Sequence, residues 1–211
     1  MTKSPDDMEI TKILRLAYDN SAGRRDSAKI EIWKAAERDY FLSMLQQEGA
    51  KTLLEIGAGP GHTGRYFQDN GLDVICIDLS PAMVALCREK GLTAYAMDVL
   101  ALDFPPASFD AVFTLNSLLH IPKRHLPRAL DNIHAVLKPD GLFYLGVYGG
   151  YDSEEIWEDD PLEPKRFFSF HTDEHLQQAV SDAFAILSFK RIPFREPDAP
   201  IHFQSLVLRR R

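Results

Sequence analysis

Three glycines at alternate positions, Gly57, Gly59 and Gly61, follow directly on the apolar run Thr52-Leu53-Leu54-Glu55-Ile56. Glycine lets a backbone approach a ligand closely, and a helix that opens just after such a loop presents unpaired N–H groups. Acidic residues close each of three successive apolar runs: Glu55, Asp78 and Asp98. A carboxylate can accept several hydrogen bonds, so this set suits a ligand carrying hydroxyls and amines. Two phosphate-binding readings compete for the same loop. Gly59 to Gly64 has P-loop length, but Arg65-Tyr66 stands where Lys-Ser/Thr is required, and that reading fails. Gly59-Pro60-Gly61-His62-Thr63-Gly64 satisfies the dinucleotide pattern, yet Asp78 then follows its last glycine too soon for the ribose-binding acid. Counted from Gly57 the spacing to Asp78 fits, and the third glycine position is then His62.

These residues need strand ends and helix starts to hold them. Short apolar runs at Thr52–Ile56, Val74–Ile77, Thr93–Met97, Phe109–Leu115 and Leu142–Tyr148 read as strands, with helical spacing between them. Ser80-Pro81 supplies an N-cap and a first-turn proline, and Lys138-Pro139-Asp140-Gly141 stops a helix from about His125 to Leu137. Met8–Tyr18 and Ile30–Leu45 read as helices separated by the turn-rich Asp19-Asn20-Ser21-Ala22-Gly23. After a helix from about Thr172 to Ala183, strands at Ile186–Ile192 and Phe203–Leu208 are joined by a short link carrying Pro193, Pro197 and Pro200. That link is too short for a helical crossover, so the two strands form an antiparallel pair at the sheet edge. The expected fold is α/β: a doubly wound, mostly parallel, seven-stranded Rossmann-like sheet with an antiparallel edge strand and helices on both faces.

Five segments together resemble the class I S-adenosylmethionine-dependent methyltransferases. Glu55-x-Gly57-x-Gly59-x-Gly61 looks like their first motif, Asp78-Leu79-Ser80-Pro81-Ala82-Met83 the second and Met97-Asp98-Val99 the third. Phe109-Asp110-Ala111-Val112-Phe113 and Leu137-Lys138-Pro139-Asp140-Gly141 resemble the family's fourth strand and the turn before its fifth. The resemblance covers roughly residues 51–148 in the family's order, and implies S-adenosylmethionine as cofactor. It implies that Gly57, Gly59 and Gly61 leave room for the cofactor's methionine and ribose, and that Glu55 lies near its amino group. Asp78 would accept from the ribose hydroxyls, Met83 would pack on adenine beside Leu79, and Asp98 and the Val99 N–H would meet the adenine edge. A cofactor-binding sensing module and a NAD-dependent oxidoreductase are the alternative functions.

The sulfonium methyl is already reactive, so the protein's task is alignment and exclusion of water. Leu115-Asn116-Ser117-Leu118-Leu119-His120 ends the fourth strand where the methyl would lie, and Asn116 is counted with the cofactor residues. The segment lacks the Asn/Asp-Pro-Pro-aromatic motif associated with relatives that methylate bases or glutamine. His120 is the candidate base or substrate contact, with capping or packing as its other reading. Tyr18, at the end of the first helix, is the candidate lid tyrosine.

The chain divides into an N-terminal helical lid (1–48), a cofactor-binding core (51–148), an acceptor-site lid (149–171) and a C-terminal helix with a strand pair (172–211). The second lid would use the Gly149-Gly150 hinge, Trp157 and Phe167-Phe168-Ser169-Phe170-His171, residues that core packing explains equally well. Asp152 to Asp160 reads as a solvated acidic face and His134 as a surface or packed residue; no metal site is expected. A net charge of −7 argues against nucleic-acid partners, leaving a small-molecule acceptor. Cys76 and Cys87 form no C-x-x-C pair, and no apolar run spans a membrane; a cytoplasmic protein is expected, with the oligomeric state open.

Overall fold

A computed structural model describes residues 6–194 and 200–211. The opening segment to Pro5 and the linker residue Pro197 lie outside the described residues.

The apolar runs form the expected sheet. β1 (Thr52–Ile56), β2 (Asp73–Asp78), β3 (Thr93–Ala96), β4 (Phe109–Leu115) and β5 (Leu137–Gly149) are parallel. β8 (Phe184–Pro193) and β9 (His202–Arg210) complete a seven-stranded sheet of order β3-β2-β1-β4-β5-β9-β8. β9 runs antiparallel to both β5 and β8, which places the antiparallel pair at one edge. Strand order reverses between β1 and β4, so the carboxyl ends of these two strands flank the crevice where such sheets bind ligands.

Each face of the sheet has its own apolar layer. Phe41 and Leu45 of α2 (Ile32–Gln47), Phe67 of α3 (His62–Asp69) and Cys87 of α4 (Pro81–Glu89) cover one face. Leu130 and Ile133 of α5 (Leu126–Val136), with Leu176 and Val180 of α6 (Asp173–Ser181), cover the other. At roughly 25 cal/mol per Å² of apolar surface, each such fully buried leucine, isoleucine or phenylalanine contributes about 1.5–3 kcal/mol.

α1 (Asp7–Asp26) is a single helix that continues through the expected break at Asp19–Gly23. The polar residues there have partners that leave the helix intact. Asp19 accepts from Ser80 Oγ at 2.5 Å and Ala82 N at 3.2 Å, and Ser21 Oγ donates to Tyr18 O at 3.2 Å. Asn and Asp disfavour helices by bonding their own backbone, and Asp19 is committed to α4 instead.

One feature is absent from the sequence reading. β6 (Ser153–Ile156) and β7 (Phe167–Phe170) form a separate antiparallel hairpin. Phe167 packs with Ile10 and Leu14 of α1, so the hairpin supports α1 from the side.

Candidate functional site

The loop after β1 is shaped by its glycines. Gly57, Gly59 and Gly61 all have positive φ, a conformation that side chains disfavour. Their surroundings differ, and so do their roles. A Cβ on Gly59 would meet nothing within 4 Å, because the residue faces the cavity. A Cβ on Gly57 would lie 2.4 Å from Ser117 Oγ, so its missing side chain makes room for the turn after β4. Gly61 lines neither cavity, and a Cβ there would sit 2.8 Å from Leu92 Cδ1 and 2.9 Å from Cys87 Sγ. Gly61 packs against α4 and opens α3 as a left-handed N-cap.

A cavity lies beyond the strand ends. Gly57, Gly59, Asp78, Leu79, Asp98 and Val99 form its floor. Asp78 is 8% exposed and its pKa is raised by burial, an effect opposed by its backbone hydrogen bonds. Its Oδ2 accepts from Gly59 N at 2.8 Å and its Oδ1 from Ser80 N at 2.9 Å, so one carboxylate fixes both loops and keeps further lone pairs. Asp98 Oδ1 accepts from Leu100 N at 2.9 Å. Met83 is fully buried and lines neither cavity, whereas Leu79 lines the first.

A second cavity adjoins the first across Gly57, Gly59, Asn116 and Arg25. Glu55 lines it, 4% exposed, with its pKa pushed up to about 8 by burial. Cys76 Sγ donates to Glu55 Oε2 at 3.6 Å. Asn116 sits between the cavities with φ +56°, and its buried Oδ1 has no hydrogen-bond partner. An orphaned acceptor next to a buried carboxyl marks a place for a ligand's N–H groups. Arg25, which the sequence reading missed, lies in both cavities with its guanidinium 5.1 Å from the Tyr18 ring centre.

The wall opposite the floor comes from α1 and the turn after β4. Ile10, Leu14 and Tyr18 of α1 line the cavity together with Ser117, His120 and Ile121 of the turn. Tyr18 Oη lies 2.7 Å from His120 Nε2, and His120 Nδ1 lies 2.7 Å from Phe167 O. A carbonyl only accepts, so Nδ1 carries the proton and Nε2 receives the phenolic O–H. Burial, with the nearby Arg166 charge, lowers the His120 pKa to about 3 and keeps the ring neutral. The two residues singled out separately in the sequence are one hydrogen-bonded pair.

The segment 149–171 contributes differently from the expected aromatic lid. Trp157, Phe168 and Phe170 pack on the core beneath α5 and α6, and neither cavity includes them. Their ring-to-ring contacts fix β7, whose Phe167 carbonyl holds His120. Asp160, read as part of a solvated face, is fully buried and paired with Arg166. Among the described residues no group of His, Cys, Asp and Glu is arranged to hold a metal ion, and no helix is long and apolar enough to cross a membrane.

Acids near three consecutive strand ends, a glycine loop and a crevice at the switch point of the sheet make up the candidate site of this α/β domain. Residues 53–141 match the family model described as a methyltransferase domain. Over these 89 of its 211 residues the chain is similar to methyltransferase domains. It is 34% identical over 125 residues to glycine/sarcosine N-methyltransferase of Parasynechococcus marenigrum (strain WH8102), covering 54% of this chain and 44% of that protein. It is 27% identical over 150 residues to malonyl-[acyl-carrier protein] O-methyltransferase of Pseudescherichia vulneris, covering 68% and 58%. The chain thus spans about half the length of these relatives. The crystal structure of Burkholderia thailandensis 1,6-didemethyltoxoflavin-N1-methyltransferase, with 1,6-didemethyltoxoflavin and S-adenosylhomocysteine bound, shares the fold at TM-score 0.76 and 23% identity, covering 100% of this chain and 92% of that one.

Proposed function

We propose that the protein transfers a methyl group from S-adenosylmethionine to a small-molecule acceptor carrying an N–H or O–H group. The observation that carries this reading is the continuity of the cavity, from the strand-end acids on one side to the Tyr18–His120 pair on the other.

The residues present fit the cofactor. Gly59 gives its backbone room, Asp78 suits ribose hydroxyls, and Asp98 with Val99 suits the adenine edge. Glu55 and the orphaned Asn116 Oδ1 suit the ammonium, and Arg25 suits the carboxylate of its methionine part. When bound, S-adenosylmethionine would supply an electrophilic methyl: the acceptor's lone pair would take the carbon, the carbon–sulfur pair would stay on sulfur, and the acceptor's proton would pass to solvent. The chain's own contribution is position. α1 excludes water from above, and Ile10, Leu14 and Ile121 give the wall an apolar surface. Tyr18 Oη gives its proton to His120 Nε2 in a hydrogen bond, which leaves a phenolic lone pair to orient the acceptor's N–H or O–H.

A net charge of −7 and a roofed crevice support a small molecule over a nucleic acid, and a cytoplasmic setting accords with a metabolite acceptor. We infer that 1–48 and 149–171 act as roof and support around a core of 51–148, with 172–211 closing the sheet. Calorimetry with S-adenosylhomocysteine and NAD tests the cofactor. Formation of S-adenosylhomocysteine from S-adenosylmethionine in the presence of small amines, hydroxylated aromatics, carboxylic acids or tRNA tests the acceptor. Binding of NAD alone sinks the cofactor assignment, and turnover of tRNA alone sinks the small-molecule reading.

A further inference from the structure

Beyond the Tyr18–His120 pair lies a buried ionic couple that the reaction itself does not call for. Asp160 has no exposed surface, and the Arg166 side chain is 11% exposed. The two are joined in a fork: Arg166 Nε donates to Oδ2 at 2.8 Å and Nη2 to Oδ1 at 2.7 Å, while Arg166 N donates to Oδ2 at 2.9 Å. The fork aims the remaining guanidinium nitrogen, and Nη1 donates to Tyr18 Oη at 2.7 Å. Arg166 Cζ also lies 5.0 Å from the centre of the Phe168 ring and 5.2 Å from that of Tyr18.

Burying two charges costs several kcal/mol per ion before their attraction is counted, so an apolar pair holds a hairpin to a helix at less cost. What the ionic couple adds is direction. Guanidinium only donates, so the hydrogen on Tyr18 Oη cannot point toward Arg166. At the far end Phe167 O only accepts, so Nδ1 of His120 carries the imidazole proton. Between those ends a single arrangement satisfies every atom: Arg166 to Tyr18, Tyr18 to His120, His120 to Phe167.

We propose that Asp160 and Arg166 are positioning residues for the acceptor site: they hold the phenolic proton of Tyr18 on the His120 side and keep its remaining lone pair for the acceptor. The proposal rests on the methyl-transfer reading of the cavity and adds the means by which its hydrogen-bond polarity is set. Charge assists geometry. The charged groups facing His120 are Arg166 and Asp160 from the segment before β7 and Arg25 from α1. Both arginines oppose an imidazolium, and Arg166 is the stronger of the two.

The test reads the histidine directly. The full chain, labelled with nitrogen-15 at histidine and saturated with S-adenosylhomocysteine, is followed by nuclear magnetic resonance from pH 4 to 9. His120 is expected neutral throughout, with its proton on Nδ1. In Arg166→Met its protonation midpoint should rise so that proton affinity increases at least tenfold, and Arg166→Lys should restore most of the wild-type behaviour. A proton on Nε2, a charged ring at pH 7, or an Arg166→Met protein titrating as the wild type overturns the proposal. The wild-type measurement decides the tautomer even where a variant does not fold. Unchanged methyl transfer in Tyr18→Phe would overturn the proposal even with the tautomer confirmed, while leaving the methyl-transfer reading of the cavity standing.

Discussion

Replacing Glu55 by glutamine separates the cost of its burial from its use. The carboxyl is 4% exposed, and burial pushes its pKa from 4.5 to about 8. Below pH 4.5 it is protonated whether or not the chain is folded. Between 4.5 and 8 the unfolded chain ionises while the folded chain keeps its proton, so the folded state binds more protons and stability falls as pH rises. From 4.5 to about 8, at 1.36 kcal/mol per tenfold, the loss reaches on the order of 4 kcal/mol at pH 8. Glutamine keeps the shape and has no charge to bury. Glu55→Gln is therefore expected to match the wild type at pH 4.5 and to exceed it progressively up to pH 8. Urea melts of both cofactor-free proteins at pH 4.5, 6 and 8 measure the gap, in which other titrating groups cancel. Cofactor affinity should move the opposite way, because the ionised carboxylate is the form that pairs with an ammonium. S-adenosylhomocysteine titrations should show weaker binding in Glu55→Gln at pH 8. A stability gap that stays flat with pH would refute the reasoning, since Glu55 would then ionise alike in both states.

Asp78→Ala should weaken S-adenosylhomocysteine binding by about 1.5–3 kcal/mol, measured by calorimetry, through loss of hydrogen bonds to a charged group. Gly59→Val should abolish binding while the chain stays folded by circular dichroism, because its side chain enters the cavity. Gly61→Ala should instead lower stability by about 1–3 kcal/mol in denaturant melts, since its Cβ meets Leu92 and Cys87 at positive φ. The rate of methyl transfer should show no acid limb from His120 near pH 6.5, because burial keeps its pKa at about 3; a limb there would contradict the neutral ring. S-adenosylhomocysteine should slow hydrogen exchange around Tyr18 and in 149–171, leaving β8 and β9 little changed. Protection confined to the glycine loop would remove α1 from the closed state.

The sheet was legible because its parallel strands are largely apolar runs, two of them stopped by a glycine loop or an acid, at Ile56-Gly57 and Ile77-Asp78. The floor of the cavity was legible for the same reason: Asp78, Asp98 and Gly59 lie where strands end. What was not legible was the direction of individual side chains. Met83 stands at α4's first turn, and only the packed structure shows that it turns inward and leaves Leu79 to the cavity. Asp160 sits among Glu158, Asp159 and other acids, and nothing local sets it apart. Its partner Arg166 is six residues away across a loop, and Tyr18 is 148 residues from Arg166. β6 was missed because Ser153-Glu154-Glu155-Ile156 has little β propensity and is held by pairing with β7. Arg25 carried no signal, because a helical arginine reads as solvated until its ring contact with Tyr18 is seen.

α1 pairs with no strand. It is held by side-chain ties: Asp19 to Ser80, Tyr18 to His120, and Asp26 to Lys90. Apart from Arg25, the contacts expected to grip the cofactor belong to strand ends locked in the sheet, whereas much of the proposed acceptor wall belongs to this one attached helix. The two halves of the site can therefore diverge at different speeds. Drift in α1 and in the turn at 117–125 can refit the wall to a new acceptor without disturbing a strand register. An ancestral scaffold of this kind can change its chemistry of recognition while its sheet is inherited intact.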